Sequence, residues 1–540
     1  MKCFGSVSVS SLVRRWLAGA IWLVFIIRPA IAEPAETPIV GITAGQIRGF
    51  VDHGIAVFKG IPYGDDTAKH RFQAPVPPLP WQGIRDCLEF GPMAPQPQPS
   101  RQHTDLFPLP AEGTRISEDC LHLNVWTPAL HDGKKRPVLF YIHGGGYTGW
   151  SSNVDAYDGV RLCQRGDVVV VTVNHRLNGF GYLYLAELGG EEFADSGNVG
   201  QLDLILALKW VRDNIADFGG DPGCVTIFGQ SGGGAKCATL MAMTAAHGLF
   251  HRVWTMSGQQ LTGRTRAHAT ETARAVLGKL GLTPDRIAEI KTIPMGKLIG
   301  AMQGQTFAPV VDGSNLPRDP FSPDASPLSV DIPMVMGNTH DETTYFLGAS
   351  DPSTFDLTWD ALPAKLTQHI KQYTGDLAPG NIVAEYRGFY PSYTPSDVFF
   401  AASTAARSWK GFVLQSETRA LQSGARTYVY YLNWTTPVDG GKWRAPHTLD
   451  IPLVFDNTAY TPDLSGDGPE ARHMGELMSE SLLAFARTGN PTTKQLPDWL
   501  AFTLPRRPAM IFDLTPHVED DARGAERKLF APVSYIQPGT

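Results

Sequence analysis

An α/β fold is predicted for this chain, with a doubly wound, mostly parallel central sheet and helices on both sides. Apolar strand-like runs alternate with longer stretches of helical periodicity through the middle of the 540 residues, which is the pattern of successive βαβ units. Residues 168–173 form an almost unbroken run of valines, as expected for a strand buried on both faces of a parallel sheet. With 43% hydrophobic residues, the chain can bury a large core.

The individual elements are predicted in chain order from their periodicity and their flanking glycines and prolines. We expect short antiparallel strands within 41–60, followed by an extended, proline-rich segment between 75 and 80. Further strands are predicted at 137–142, 168–173, 225–228, 253–256, 334–336 and 427–432, and helices at 202–215, 235–243 and 474–486. Residues 345–425 are interpreted as helical insertions that pack over the sheet and the active site.

The first 32 residues have the pattern of a secretory signal peptide. Basic residues precede a short apolar run at 16–27, and Ala30-Ile31-Ala32 has the small-x-small form of a cleavage site. We expect export to the periplasm or the medium and cleavage after Ala32, which leaves 33–540 as one domain. An uncleaved anchor and a twin-arginine signal at Arg14-Arg15 are the alternatives.

Charge and composition exclude several classes of partner. Cleavage would remove four basic residues and no acidic one, so the exported chain would be more negative than the −7 of the whole sequence. A nucleic-acid partner is not expected, because such binding normally needs a basic surface. No stable membrane insertion after cleavage is expected either. The six cysteines have no metal-binding spacing, and we predict neither a metal nor a cofactor.

The pentapeptide Gly229-Gln230-Ser231-Gly232-Gly233 lies between a predicted strand and a predicted helix. A serine between glycines at such a junction can occupy the apex of a sharp turn, because the glycines avoid clashes inside the turn. The pattern therefore predicts a serine nucleophile at the edge of the sheet. Taken alone, the pentapeptide is also compatible with an ordinary turn.

A serine nucleophile needs oxyanion donors, a base and a group that orients the base. Donors are predicted in the glycine tract after His143, whose backbone N–H groups are unobstructed, and at the N–H of Gly232. The acid is either Asp341 or Glu342, and the pattern does not separate them. His447 is the candidate base. His143 is its rival, although its position before the glycines favours a role in shaping the oxyanion loop.

Together these motifs resemble the type-B carboxylesterases, which include cholinesterases and bacterial para-nitrobenzyl esterases. The resemblance extends over nearly all of the chain beyond the predicted signal. It rests on the segments 58–63, 117–126, His143-Gly144-Gly145-Gly146, 218–222, 229–233, Asp341-Glu342, 447–455 and 485–491. It implies an α/β-hydrolase fold and a serine carboxylesterase that cleaves small-molecule esters without a cofactor.

The resemblance also implies roles for individual residues. The residues matching the catalytic triad and the three oxyanion amides are Ser231, Glu342, His447, Gly145, Gly146 and Gly232. Ser257 and Asp450 match positions of a polar network near the triad. In the family, the cysteine at the Cys120 position usually forms a disulfide with a cysteine after the Phe-Gly-Pro segment, where this chain has Met93-Ala94. A bridge from Cys120 to the displaced Cys87 and two free thiols are therefore both open.

The chain departs from the family at positions that bear on the substrate. Gln230 stands where many members have a glutamate beside the serine, which argues against a cationic substrate and favours a neutral or anionic ester. Pro110 replaces the choline-binding tryptophan of the cholinesterases, which argues against a choline ester. The remaining cysteines, Cys163, Cys224 and Cys237, are expected to be buried free thiols.

The expectation is therefore an exported serine carboxylesterase that works through an acyl-enzyme. Bacterial relatives with this layout include detoxifying esterases that remove tricarballylate side chains from fumonisins, and a bulky ester of this kind is one candidate substrate. A lipase acting on acylglycerols, an amide hydrolase and a non-catalytic cholinesterase-like binding protein are the alternatives, and the complete triad argues against the last of these. No oligomeric state is predicted.

Overall fold

An eleven-stranded sheet runs through the computed structural model, which describes residues 37–98 and 106–538. The strands are β1 (Ile39–Ile42), β2 (Gly45–Arg48), β3 (Phe50–Asp52), β4 (Ile55–Pro62), β5 (Ile84–Asp86), β6 (His122–Thr127), β7 (Arg136–Ile142), β8 (Val169–Val173), β9 (Gly220–Gln230), β10 (Arg252–Met256), β11 (Met334–Thr339), β12 (Thr427–Leu432), β13 (Pro508–Phe512) and β14 (His517–Asp520).

The α-helices follow these strands along the chain. They are α1 (Val160–Gly166), α2 (Asn178–Tyr182), α3 (Ala186–Gly189), α4 (Val199–Asn214), α5 (Gly232–Leu240), α6 (Arg266–Leu280), α7 (Met295–Met302), α8 (Leu362–Thr374), α9 (Pro379–Phe389), α10 (Pro395–Thr404), α11 (Lys410–Ala420), α12 (Asp450–Phe455), α13 (Pro462–Ser465), α14 (Pro469–Thr488) and α15 (Gly524–Phe530). Two single π-helical turns occur at Thr344–Gly348 and Ala405–Trp409.

The sheet is parallel at its centre and antiparallel at its edges. Its strand order is β14-β13-β12-β11-β10-β9-β7-β8-β6-β4-β3, and every pair from β13 to β8 is parallel. A separate small sheet has the order β1-β2-β5. Because parallel strands are joined by crossovers, helices come to cover both faces. This confirms the predicted α/β class and its doubly wound, mostly parallel sheet.

Side chains of successive residues in the central strands enter two different hydrophobic cores. In β8, Val169, Val171 and Val173 join the core beneath helices α4, α5, α10 and α11. Val170 joins the opposite core, beneath α1, α12 and α14. All five residues of β8 are buried, so the continuous apolar run of this strand reflects burial on both faces.

The predicted elements are present, and their bounds differ where the apolar pattern is weak. The strand predicted at 427–432 has the same bounds as β12. The strand predicted at 225–228 starts earlier, at Gly220, because Gly220 pairs with Arg136 of β7, and a register shift separates this pair from the pairing that resumes at Val225. Residues 345–425 contribute α8 to α11, whose apolar residues join one of the two cores, as expected for insertions over the sheet.

The predicted signal peptide and its cleavage site lie outside the described residues. The chain from Thr37 onward forms one compact unit. Among the described residues, no helix combines the length and the apolar character needed to cross a bilayer.

The structure has no disulfide between Cys87 and Cys120, which are both buried free thiols. The backbone N–H of Cys87 donates to Arg48 O at 2.7 Å and its carbonyl accepts from Lys59 N at 2.7 Å, and each thiol packs as a small apolar group within the core. Burial raises the pKa of Cys87 to about 12, so its thiol is a poor source of the reactive thiolate.

The other described cysteines are also free thiols. Cys163 and Cys237 are buried, as expected. Cys224 is half-buried, and its sulfur accepts from Nη1 of Arg252 at 3.3 Å.

Candidate active site

The carboxyl ends of the central parallel strands collect the polar residues singled out in the sequence. The glycine loop follows β7, Ser231 follows β9 and Ser257 follows β10. Glu342 follows β11, and His447 lies in the loop between β12 and α12. In open α/β sheets this edge is where binding sites form, because the connections to the helices cluster there.

Ser231 occupies the sharp turn between β9 and α5. Its backbone has φ 56° and ψ −126°, a conformation that non-glycine residues rarely adopt. Its N–H donates to Met256 O at 2.7 Å, which ties the turn to the neighbouring strand β10. Close backbone packing explains the flanking glycines. A Cβ on Gly232 would lie 2.2 Å from Gly146 O, and one on Gly233 would lie 1.9 Å from Ile142 O.

Glu342 and His447 form a buried pair beside this turn. Oε2 of Glu342 contacts Nδ1 of His447. The other carboxylate oxygen accepts hydrogen bonds from Asn338 Nδ2 at 2.9 Å, from the N–H and hydroxyl of Thr339 at 3.1 and 3.0 Å, and from the Ser257 hydroxyl. The carboxylate is therefore fixed on both oxygens, and its orientation fixes that of the imidazole.

These contacts keep the Glu342 carboxyl ionised. Burial raises its pKa, but the adjacent His447 and the hydrogen bonds from Ser257 and Thr339 outweigh burial, so the pKa is lowered from its usual value. Asp341, the competing carboxylate, points elsewhere and pairs with His340 at 3.1 Å. Glu342 rather than Asp341 is thus the residue that the fold brings to His447.

The glycine loop and the turn at Ser231 lie against each other, with Gly232 packed on the backbone of Gly146. Gly145 and Gly146 have φ values of +79° and +59°, which favour glycine. Among the described residues, the N–H groups of Gly145, Gly146 and Gly232 donate to no backbone carbonyl outside regular helices and strands. None of these three N–H groups is held by such a carbonyl, so all three remain candidate oxyanion donors.

Two buried residues, His143 and Lys236, pack beside the glycine loop. His143 is 1% exposed, and burial together with the nearby Lys236 lowers its pKa well below the usual range, so it is a neutral ring away from Glu342. Lys236 is fully buried and donates from Nζ to His143 O at 3.2 Å. Burial lowers the pKa of Lys236 to about 7. Neither residue forms part of the pair with Glu342, and His143 shapes the loop.

Gln230 contacts the imidazole from the other side. It is 1% exposed, and its Nε2 lies 3.1 Å from Nε2 of His447. Asp450 does not hydrogen-bond to Glu342 or His447 and instead accepts from the hydroxyl of Tyr430 at 2.9 Å. Burial and then the charge of Glu342 raise the pKa of Asp450 to about 7.

Two cavities of about 300 Å³ each meet at Ser231 and His447. One is lined largely by aromatic side chains, including Phe107, Trp150 and Tyr345. The other contains Arg407 and several neutral amides and hydroxyls. The sequence analysis missed these lining residues. The proximity of Tyr345 and Phe346 to Glu342 in the chain was a usable signal, whereas nothing in the sequence links Arg407 to the site.

The described residues contain no group of three or more His, Cys, Asp or Glu side chains arranged to hold a metal ion. The sheet topology and the serine turn with its paired histidine and glutamate define an α/β-hydrolase. The chain belongs to the carboxylesterase family, whose model matches residues 36–530. It is a carboxylic ester hydrolase.

Its relatives are similar over nearly their whole lengths. The para-nitrobenzyl esterase of Bacillus subtilis (strain 168) is 31% identical over 510 residues, which are 92% of this chain and 98% of that protein. The phenmedipham hydrolase of Pseudarthrobacter oxydans is 32% identical and covers 86% and 93% of the two chains. The carboxylesterase EST55 of Geobacillus stearothermophilus superposes with a TM-score of 0.79 at 36% identity, covering 91% of this chain and 99% of that one.

Proposed function

We propose that the chain is an exported serine carboxylesterase in which Ser231 is the nucleophile, His447 the base and Glu342 the residue that orients the base. The observation that supports this most is the contact between the buried Glu342 carboxylate and Nδ1 of His447, in a cavity that Ser231 also lines. An imidazole whose Nδ1–H donates to the carboxylate has its Nε2 available for the serine proton.

The reaction follows from these positions. Ser231 Oγ attacks the ester carbonyl carbon while His447 Nε2 takes the hydroxyl proton. The N–H groups of Gly145, Gly146 and Gly232 donate to the oxyanion that forms. His447 then protonates the leaving alcohol, and an acyl-enzyme remains on Ser231. A water molecule, deprotonated by the same imidazole, attacks the acyl carbon and releases the acid.

Gln230 has a place in this cycle. Its amide lies against the Nε2 atom that must accept the serine proton. Among the described residues no hydrogen bond joins Ser231 Oγ to His447, so the contact with Gln230 has to give way when an ester binds. A glutamine also leaves the site without the negative charge that a glutamate would add, which suits neutral and anionic esters.

A bulky ester such as a fumonisin is the proposed substrate. The two cavities at Ser231 and a neighbouring cavity of about 500 Å³ beside the glycine loop give room for a large ester on both sides of the reacting bond. Export, for which the first 32 residues are the support, would place such an enzyme where external toxins are met.

The test compares wild-type protein and Ser231→Ala on 4-nitrophenyl butyrate, a feruloyl ester and a fumonisin. Ser231→Ala should lower kcat for each by ~10⁴-fold or more, because the nucleophile is lost. Ser314→Ala, an exposed serine outside the site, is the matched control. An organophosphonate should add its mass to the peptide that contains Ser231.

Two results would contradict the proposal. Hydrolysis by Ser231→Ala at the wild-type rate, or phosphonate labelling at a different residue, would remove Ser231 from its role. Equal, slow release from all three esters by the wild-type protein would leave the role of Ser231 intact and remove the fumonisin as the substrate.

A further inference from the structure

Arg407 brings a positive charge into the cavity that contains Ser231 and His447. The residue is half-buried, and its guanidinium carbon lies 4.3 Å from the ring centroid of Phe346. Phe346 packs in turn against the imidazole of His447, with 4.4 Å between the ring centroids. One phenyl ring therefore contacts both the guanidinium and the proposed base.

This guanidinium has no counter-ion within the part of the chain that the structure describes. Other arginines of the surrounding segments do have one, since Arg523 pairs with Glu526 and Arg444 pairs with Asp397. The carboxylate that lines the same cavity is Glu342, and both of its oxygens are already occupied by His447 and by neighbouring donors. The positive charge of Arg407 is thus left for something that enters the cavity.

Apart from Glu342 and His447, the side chains that line the cavity with Arg407 are neutral. Gln259, Gln260 and Ser408 line the cavity with amides and a hydroxyl. A half-desolvated charge beside neutral groups is costly, and an anionic ligand would offset that cost. The planar guanidinium matches the two oxygens of a carboxylate, to which it can donate two parallel hydrogen bonds.

Arg407 and Phe346 both lie on π-helical turns, an unusual backbone conformation. Arg407 lies on the π-helical turn Ala405–Trp409, and Phe346 lies on the π-helical turn Thr344–Gly348. Such turns are rare, and they occur frequently at functional sites. The extra residue in a π turn changes the direction of the side chains that follow it. Two separate segments of the chain thus each have a π-helical turn where their side chains, Arg407 and Phe346, meet.

Among the described residues, no arginine or lysine lines the cavity on the other side of Ser231. It is lined by Phe107, Trp150, Tyr157 and Ile451, and it suits an apolar part of a substrate. An ester that fills both cavities would have an apolar portion on one side of the reacting bond and a polar, anionic portion on the other.

We propose that Arg407 binds a free carboxylate of the substrate, so that the enzyme prefers esters with a carboxylate a few bonds from the scissile ester over their uncharged analogues. This inference rests on the proposed function, since it assumes cleavage at Ser231. The carboxylate belongs either to the acyl part, as in a half-ester of a dicarboxylic acid, or to the alcohol part.

Two pairs of esters distinguish these sources, and each pair differs only by a carboxylate and the primary amide of the same shape. The acyl pair is ethyl hydrogen glutarate and ethyl 4-carbamoylbutanoate. The alcohol pair is 4-butanoyloxybutanoate and 4-butanoyloxybutanamide. Acid release is followed at constant pH, and the ratio of kcat/KM within each pair is the readout.

For the wild-type protein we expect a ratio in favour of the carboxylate on the order of ten- to hundred-fold in one of the two pairs, as for a charged hydrogen-bonded contact. Arg407→Gln should bring that ratio close to one, mainly through KM. Arg407→Lys should retain part of the preference for the carboxylate, because a lysine keeps the positive charge but cannot donate two parallel hydrogen bonds to the carboxylate. Raising the ionic strength should weaken binding of the carboxylate ester and not of the amide.

Arg387→Gln is the matched control, because Arg387 is an exposed arginine that also lies over an aromatic ring, 4.5 Å from the centroid of Trp359, outside the cavity. Its ratios should equal those of the wild-type protein. Thermal melting of each variant checks that it is folded.

Ratios that are unchanged by Arg407→Gln in both pairs would overturn the inference, as would the absence of any carboxylate preference in the wild-type protein. These failures are separate from a failure of the proposed function. Hydrolysis of 4-nitrophenyl butyrate that is lost in Ser231→Ala shows that the esterase site is present even where no preference for carboxylates is found.

Discussion

Two buried carboxyl groups that influence each other, Glu342 and Asp450, have pKa values that are shifted in opposite directions. Burial raises the pKa of Glu342. The contact with His447 and several hydrogen bonds lower it by more, so the net shift is downward. Burial also raises the pKa of Asp450, and the charge of Glu342 adds to this, while the hydrogen bond from the Tyr430 hydroxyl opposes it only in part, so the pKa is about 7. Environments that separate two carboxyl groups in this way are typical of sites that need one of them ionised.

Asp450→Asn should stabilise the protein in a way that depends on pH. The folded-state pKa of Asp450 is about 7, against ~3.9 in an unfolded chain. Between these values the folded state binds a proton that the unfolded state has lost, so wild-type stability falls as the pH rises through this window. The amide that replaces the carboxyl group does not titrate. The variant should therefore gain up to about 4 kcal/mol over the wild type by pH 8 and nothing from this effect at pH 4.

The free energy of unfolding, measured in denaturant at pH 4.5, 6 and 8, tests this expectation. Asp360→Asn, at an exposed carboxylate, is the control and should show no such trend. A difference between Asp450→Asn and the wild type that stays constant from pH 4.5 to pH 8 would mean that Asp450 is ionised in the folded protein over this whole range.

At the scale of the elements, the junction between β9 and α5 decides the geometry of the site. The first turn of α5 packs against the end of β7 with no space for a side chain, since a Cβ on Gly233 would lie 1.9 Å from Ile142 O. Neither backbone can move alone, because β7 and β9 are paired in the centre of the sheet. Gly233→Ala should therefore displace Ser231 and destabilise the protein by ~2 kcal/mol or more.

The same substitution at a different glycine provides the control. Gly278 lies inside α6, and a Cβ there would meet nothing within 4 Å. Gly278→Ala should stabilise the protein by up to ~1 kcal/mol, as alanine is the better helix former.

Gly233→Ala should also lower kcat/KM for 4-nitrophenyl butyrate on the order of 10²-fold, because a small displacement of a nucleophile is enough for such a loss. Wild-type kinetics and melting for Gly233→Ala would contradict this packing argument.

The elements differ in how far their sequences predict them. The central strands were predictable because burial on both faces imposes a continuous apolar run, as in β8. The first residues of β9 were not, because Gly220, Asp221 and Pro222 have no apolar pattern, and only the pairing of Gly220 with Arg136 of β7 is given by the fold. The π-helical turns at Thr344–Gly348 and Ala405–Trp409 were not predictable either, since one extra residue in a turn leaves no periodic signal.

At the scale of the whole molecule, the residues that end consecutive parallel strands could be predicted to meet, and the fold does bring the glycine loop, Ser231, Glu342 and His447 to one edge. The parallel direction of these strands follows from the alternation of strands and helices, and it brings their carboxyl ends to the same edge. Arg407 comes from an insertion whose path over the sheet depends on tertiary packing alone. Its place in the cavity is therefore visible only in the folded chain.

The state of the cysteines is also a property of the whole molecule, and the structure predicts that no disulfide contributes to its stability among the described residues. A bridge between Cys87 and Cys120 would close a loop of about thirty residues and stabilise the fold by ~3–4 kcal/mol in the chain-entropy account. We therefore expect the melting temperature to be the same with and without a reductant. Alkylation in denaturant without prior reduction should label both residues, as it should the buried thiol of Cys163. A linked pair of peptides containing Cys87 and Cys120, together with a lower melting temperature under reducing conditions, would show that the two thiols approach each other and oxidise in the folded protein.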